Sequence, residues 1–90
     1  MLGVYFEPVD PDDESGAEKA FFIRLKDQPH YSLDVRASKY YLNNDVLVWW
    51  SHRGQQQQFC VNSDNTVSPV GDRTKALGYF LKPWSCLPPD

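Results

Sequence analysis

The sequence lacks a long apolar run, a cluster of basic residues and a helical period of apolar residues. No segment of the 90 residues approaches the roughly 20 apolar residues of a transmembrane helix, so no membrane span is expected. The start, Met1–Glu7, has neither the basic region nor the apolar run of a signal peptide. Phosphate neutralisation needs several Lys or Arg on one face, and none are grouped here, so nucleic acid is an unexpected partner.

Cysteine and histidine are also scarce. Cys60 and Cys86 are too few for a disulfide framework, and the sequence leaves open whether they pair once or stay reduced. His30 and His52 lie in loops without a motif that would orient them, and Cys60 lies in an apolar segment that lowers thiol reactivity. The spacing of these residues fits no metal site. We therefore predict no enzyme activity, no metal site and no cofactor.

Acidic residues are concentrated at the start of the chain. Residues 1–18 hold six acids and no Lys or Arg, whereas residues 19–90 hold nine bases and six acids. The acids, Pro and Gly of residues 10–16 predict a solvated loop. The length predicts one small domain, residues 1–90, and 13 aromatic residues (three Trp, five Tyr and five Phe) supply much of its apolar surface.

Short alternating segments predict an all-β sandwich or barrel. Seven Pro and five Gly favour turns over long helices. Strands are expected near positions 2–9, 20–26, 31–36, 46–50, 57–62, from 67 onward and 76–81. The turn at residues 63–66 contains Asn65, which tolerates a positive φ.

Residues 31–67 carry an ordered series of motifs. It begins with Leu33-Asp34-Val35-Arg36 and an Asn-rich turn, continues with a strand containing Trp49, and ends with Gln57-x-Phe59 and Asp64-Asn65-Thr66-Val67. This order resembles one repeat of the ricin B-chain type (R-type) β-trefoil lectins, and the match covers about residues 20–70. Leu33 and Leu77 are 44 positions apart, close to the repeat length of about 40 in such folds.

The resemblance implies a site for galactose or N-acetylgalactosamine, and hence a glycan or glycoprotein ligand. The family's acid falls on Asp34, its aromatic platform on Trp49, and its polar pair on Gln56 and Gln57. Asp34 would accept hydrogen bonds from two sugar hydroxyls, and Trp49 would stack on the apolar face of the ring. Gln56 or Gln57 would bridge to a hydroxyl or to Asp34.

Two positions depart from the family's pattern, and one of them is Gln56, which replaces the Asn that precedes the motif Gln in the family. The other is Leu47, which stands where functional repeats often have a second polar contact. The absence of that polar contact would remove roughly 1–2 kcal/mol of binding free energy. The strand pattern places Asp34 opposite Leu33 and Val35 and therefore predicts it at the surface. The pattern leaves open whether Trp49 is exposed or lies in the core.

A whole trefoil needs three repeats, and this chain has one clear repeat with parts of its neighbours. The resemblance therefore implies an incomplete β-trefoil that is an excerpt of a larger lectin, or one completed by self-association into a homo-oligomer, or a reduced β-fold that only looks like a trefoil repeat. The alternative is a protein-interaction module that has lost sugar binding. Its partner would contact an apolar patch around Leu47, Trp49 and Trp50, and the acidic loop Asp10–Glu14 would steer a basic protein towards it.

Overall fold

The alternating segments form an antiparallel sheet in the computed structural model, so the chain is all-β. The structure describes residues 3–13, 19–78 and 85–87, with residues 78 and 85–87 described by their backbone alone. Within these residues, no helix exceeds a single 3-10 turn, and none is long and apolar enough to cross a membrane. The strands are β1 Val4–Pro8, β2 Ala20–Leu25, β3 Tyr31–Val35, β4 Val46–Trp50, β5 Phe59–Val61, β6 Val67–Pro69, β7 Ala76–Gly78 and β8 Ser85–Leu87.

Strand β2 lies at the centre of the larger sheet. β1 pairs along one edge of β2 for its whole length. On the other edge, Arg24 pairs with Ser32 of β3, whereas Phe21 pairs with Phe59 of β5. β4 then pairs with β3 and β6 with β5, while β7 and β8 form a separate two-stranded ladder.

The strand bounds follow the sequence expectations closely, with one correction. β4 has the predicted bounds, but the strand expected from Gln57 begins at Phe59. Gln55–Gln57 form a 3-10 turn instead. The last expected strand is described to Gly78 only, and its predicted continuation over residues 79–81 lies outside the described residues.

The apolar core lies on one face of the central strands. Its buried cluster consists of Ile23, Leu33, Val35, Val46 and Phe59, with Val4, Tyr40, Val67 and Leu77 packed against it. Alternation explains the set, because every second residue of a strand points to the same face. Burying each large side chain contributes about 1.5–3 kcal/mol before the entropy of ordering it is counted.

Aspartates fix three of the turns by accepting a hydrogen bond from the backbone N–H two residues on. Asp10, Asp64 and Asp72 each make this bond at 3.0 Å. The hydroxyl and backbone N–H of Thr66 lower the pKa of Asp64. Asn65 has a φ of 69°, as the sequence predicts for this hairpin turn.

The cysteines and the acidic loop were also the subject of sequence predictions. Cys60 is buried with a free thiol, and the side chain of Cys86 lies outside the described residues. Asp10 and Asp12 are exposed, as expected of a solvated loop, whereas Glu14 lies outside the described residues.

The second face of β2 and β3 is buried as well, which corrects the expectation for Asp34. Asp34 is only 5% exposed, and Ser32 and Phe22 on the same face are more deeply buried. Residues 51–57 fold back over this face and cover it. Strand alternation predicted the correct face for Asp34, but it could not reveal what covers that face.

Candidate functional site

The candidate site lies on the face of β3 and β4 that points away from the core. Asp34 lies opposite Leu47, and Ser32 lies opposite Trp49. Opposite residues of an antiparallel pair point to the same face, so a carboxylate, an indole and an isobutyl group are neighbours here. Trp49 is 55% exposed, which decides between the two environments that the sequence left open.

Gln57 joins the returning segment to strand β3. Its Nε2 donates to Asp34 Oδ2 at 2.9 Å and to the Trp50 carbonyl at 2.7 Å. Its Oε1 accepts from the backbone N–H of His52 at 2.9 Å. Gln57 is fully buried, and these bonds satisfy its amide. It therefore holds the carboxylate and the loop in one arrangement.

His52 approaches the same carboxylate from the solvent side. Its Nδ1 accepts a hydrogen bond from the Gly54 N–H at 3.0 Å, and its Nε2 lies 3.3 Å from Asp34 Oδ2. An Nδ1 that accepts leaves the proton of a neutral imidazole on Nε2, so Nε2–H faces the carboxylate. Both contacts of Asp34 within the described chain go to Oδ2. Oδ1 has no partner there and can accept from a ligand.

Gly54 allows the imidazole to take this position. A Cβ at residue 54 would lie 2.5 Å from His52 Cε1 and 2.7 Å from Gln56 Oε1. Both distances are shorter than a non-bonded contact permits, so a larger residue would displace these two pocket side chains. The glycine is needed for close packing of two side chains rather than for a left-handed turn.

These residues surround a pocket of about 250 Å³. Its lining consists of Asp34, Ala37, Leu47, Trp49, His52 and Gln56. Three of the four residues identified from the sequence, Asp34, Trp49 and Gln56, therefore line one cavity. Gln57 lies behind it and contacts Asp34. Leu47 lines the pocket at the position that departs from the lectin pattern.

Two of the lining residues, His52 and Ala37, were not predicted from the sequence. His52 was interpreted as an unoriented loop residue, but the Gly54 N–H and the Asp34 carboxylate orient it. The only local signal was a glycine two residues after the histidine. Ala37 has a φ of 55° in the turn after β3, a conformation that side chains other than Asn and Asp rarely adopt. Nothing in the sequence pattern pointed to it.

A polar network anchors the start of the returning segment. The hydroxyls of Ser32 and Ser51 are in hydrogen-bond contact. Arg24 Nη1 donates to Ser51 Oγ at 2.9 Å, and its Nη2 donates to Glu7 Oε2 at 3.1 Å. The guanidinium of Arg53 lies 4.6 Å from the ring centroid of Phe22, which it covers. Residues 51–53 are thereby tied to β1, β2 and β3.

The chemistry of the lining suits a neutral polar ligand with one apolar face. The pocket offers a carboxylate oxygen, an amide and an imidazole on one side, and an indole with a leucine on the other. None of the described residues that line it is a Lys or Arg, so this part of the lining offers no cation to a phosphate. Among residues 3–13, 19–78 and 85–87, no group of three or more His, Cys, Asp or Glu could hold a metal ion.

A second apolar surface lies on the opposite face of β4 from the pocket. Trp50 is 56% exposed, and its ring stacks on His30 at 5.2 Å and lies 4.6 Å from Tyr31, centroid to centroid. Val48, on the same face as Trp50, is 40% exposed. The two tryptophans therefore expose similar fractions on opposite faces of one strand.

Known proteins give no match to this arrangement. No family model, no curated protein and no solved structure matches the chain.

Proposed function

We propose that this chain is a carbohydrate-binding module for galactose or N-acetylgalactosamine, with Asp34, Trp49, Gln56 and Gln57 forming its site. The observation that carries the proposal is one pocket with a buried, anchored carboxylate and an exposed indole. Vicinal hydroxyls need a fixed acceptor, and the C–H face of a sugar ring needs an aromatic surface. The pocket volume of about 250 Å³ suits a single sugar ring better than a longer chain.

Each residue has a distinct part in this proposal. Asp34 accepts hydrogen bonds from two adjacent hydroxyls, using the oxygen that Gln57 and His52 leave open. Trp49 stacks on the apolar side of the ring, and Gln56 contacts a third hydroxyl from the pocket wall. Gln57 is a positioning residue, because its buried amide reaches the Asp34 carboxylate and not the cavity.

We propose further that the chain is an R-type β-trefoil repeat with parts of its neighbours. Supporting features are the contact of Gln57 with Asp34, the burial of Phe59 in the core and the tight turn at Asn65. One repeat would not close a trefoil by itself, so further repeats or self-association would be needed to complete one.

We expect the affinity to be low. Leu47 replaces a polar contact worth roughly 1–2 kcal/mol. A millimolar sugar site has only about 4 kcal/mol in total, so this loss is a large fraction. Binding in the millimolar range or weaker is expected for a free monosaccharide, and multivalent presentation would be needed for a strong signal.

The two tryptophans provide a matched test. Trp49→Ala removes the indole of the pocket, whereas Trp50→Ala removes an indole of almost equal exposure, 56% against 55%, on the other face. On a glycan array, we expect galactose-terminated glycans to bind the wild type and Trp50→Ala but not Trp49→Ala. Equal loss in both variants, or a blank array with folded protein, would refute the sugar site.

The second candidate is a protein-interaction module, which the exposed surface of β4 favours. Val48, Trp49 and Trp50 are all at least 40% exposed, with Val48 and Trp50 on one face of the strand and Trp49 on the other. Aromatic residues of this kind anchor protein interfaces. A module of this type would not bind free galactose and would lose partner binding on substitution of either tryptophan. A lectin would lose ligand binding in Trp49→Ala but not in Trp50→Ala.

A further inference from the structure

A second cavity lies on the opposite side of strands β3 and β4 from the pocket of Asp34 and Trp49. Its volume is about 370 Å³, and the described residues that line it are Gly3, Leu25, Asp27, Gln28 and Val48. Val48 shares a face of the sheet with Leu33, whereas Leu47 and Trp49 share the other face. The two cavities therefore have no described lining residue in common.

The wall of this cavity is apolar because the core is less completely covered at this end. Leu25 and Val48 both point to the core side of their strands, yet Val48 is 40% exposed. Val46, on the same face of β4, is only 2% exposed. An apolar group bound here would therefore extend the core and remove Val48 from water, which is favourable.

The turn between β2 and β3 supplies one uncompensated charge. The Lys26 N–H donates to the Gly3 carbonyl at 2.9 Å, and the Tyr31 N–H donates to the Gln28 carbonyl at 2.9 Å, so both ends of the turn are held by backbone bonds. The Asp27 carboxylate makes no hydrogen bond or ion pair within the described part of the chain. It is also the only charged group among the described lining residues. It is therefore available to a ligand.

An exposed aromatic cluster lies next to the cavity and favours the same sign of ligand charge. Trp50 follows Val48 by two residues on the same face of β4, and its ring lies against those of His30 and Tyr31. The faces of aromatic rings attract cations through their quadrupole. The carboxylate and the rings therefore both favour a cation at this end of the molecule.

We propose that this cavity binds a small organic ammonium ion with an apolar body. The ammonium group pairs with the Asp27 carboxylate, and the amide oxygen of Gln28 accepts a further hydrogen bond. The apolar body covers Leu25 and Val48. Small-molecule sites typically have volumes of about 300–1,000 Å³ with mostly apolar walls and a few polar groups, as here. The site does not depend on the proposed sugar binding.

Three probes of similar shape and different charge test this proposal: phenethylamine, phenethyl alcohol and phenylacetate. Titrations at neutral pH, where the amine is protonated, are followed by the backbone amide signals in NMR spectra. We expect the amine to bind roughly two- to five-fold more tightly than the alcohol, as one exposed ion pair would give, and phenylacetate to bind more weakly than both. The signals of Leu25, Gln28 and Val48 should shift, and those of Asp34 and Leu47 should not.

Two variants separate the charge from the apolar wall. Asp27→Asn should reduce the affinity for the amine to that for the alcohol, and leave the alcohol unaffected. Val48→Ser should weaken the binding of all three probes and preserve their order. Asp12→Asn is the matched control, because Asp12 is also an exposed carboxylate but lies at the opposite end of β1 from Gly3. This control should bind the amine like the wild type.

Each outcome decides the proposal. Equal binding of amine and alcohol by the wild type would overturn it, as would the absence of any shift. A preference for the amine that survives Asp27→Asn would also overturn it, and so would shifts confined to the signals of Asp34 and Leu47. Thermal melts check that the variants fold, and a misfolded variant leaves the three wild-type titrations as the test. Galactose titration is independent of this result, so failure of the proposed function and failure of this site are distinguishable.

Discussion

Both faces of strand β3 are buried, one by apolar side chains and the other by polar groups. Leu33 and Val35 point into an apolar core, whereas Ser32 and Asp34 point into a polar layer formed by the returning segment. The apolar face is held by contacts that are individually weak and non-directional. The polar face is held by a few hydrogen bonds with defined partners, and each matters more because burial removes water as a substitute.

This difference indicates where the molecule supports a site. A core side chain contributes to global stability, and its partners can repack around a change. A buried carboxylate with one open oxygen cannot repack, and its position is defined by Gln57 and His52. We expect substitutions on the two faces to separate stability from ligand binding.

The largest effect is expected on the apolar face. Leu33→Ala removes a side chain that is 6% exposed and leaves a cavity, at a cost of about 2–5 kcal/mol. Since small domains have roughly 5–15 kcal/mol in total, a large part of the folding free energy would be lost. Urea denaturation should show a lower midpoint with an unchanged slope. A change below about 0.5 kcal/mol would contradict the assignment of Leu33 to the core.

Gln57→Glu should lower the stability of the fold in a pH-dependent way, because it changes the polar face of β3. The new carboxylate lies beside Asp34 Oδ2, 2.9 Å from the former amide nitrogen, and two like charges at that distance cannot both be ionised cheaply. The pair binds a proton more tightly when folded, because the two carboxylates repel one another, so its pKa is raised above its unfolded value. Stability should therefore be lowest at neutral pH and recover as pH falls through that raised pKa.

Gln57→Leu is the matched control for this experiment. It removes the two hydrogen bonds donated by Nε2, which Gln57→Glu also loses, and the one accepted by Oε1, without adding a charge. Its loss of stability should therefore not depend on pH in the same window. Thermal melts of both variants between pH 4 and 8 provide the comparison. Parallel curves for the two variants would show that residue 57 does not face the Asp34 carboxylate.

Gly54 and Gly71 allow a finer comparison of the pocket with the core. Gly54→Ala should displace His52 and Gln56 from the pocket, whereas a Cβ at residue 71 would lie 2.2 Å from Tyr40 Cζ. Tyr40 packs against the core. We expect Gly54→Ala to weaken galactose binding several-fold with less than about 1 kcal/mol of destabilisation. Gly71→Ala should destabilise the fold by more than about 1 kcal/mol and leave galactose binding unchanged.

Calorimetric titration and thermal melts would measure the two effects side by side. Each glycine variant serves as the control for the other, because each adds one methyl group to a loop. Equal effects of both variants on binding and on stability would mean that the pocket and the core are not separable in the way proposed.

The strands and most of the pocket could be predicted from the sequence, but the cover of Asp34 could not. Alternation within β3 and β4 places Asp34, Leu47 and Trp49 on one face, which requires only that side chains point to alternate sides. The burial of Asp34 depends on a loop that departs from strand geometry at Gln55–Gln57. That departure is set by long-range hydrogen bonds of Gln57, and local pattern carries no information about them.

The same limit explains the errors over His52 and Gln57. His52 is oriented by Asp34, which is distant in sequence, and by a backbone N–H, which every non-proline residue possesses. Gln57 directly precedes a segment of alternating polar and apolar residues, so the simplest prediction was that the strand begins at Gln57. Tertiary contacts overrode both local signals.

The smallest expected effect comes from Asp72, a half-buried carboxylate that contrasts with the buried Asp34. The ammonium of Lys75, the hydroxyl of Thr74 and the Thr74 N–H together lower the pKa of Asp72 to about 2. A carboxylate whose folded pKa lies below the unfolded value of 3.8 stabilises the fold above that value and loses this contribution as pH falls towards 2. Because solvent screens this site, we expect less than about 1 kcal/mol. The melting temperature of Asp72→Asn should therefore fall slightly below that of the wild type at pH 6 and converge with it near pH 2. A gap that persists unchanged at pH 2 would show that the carboxylate stabilises the turn through its shape rather than its charge.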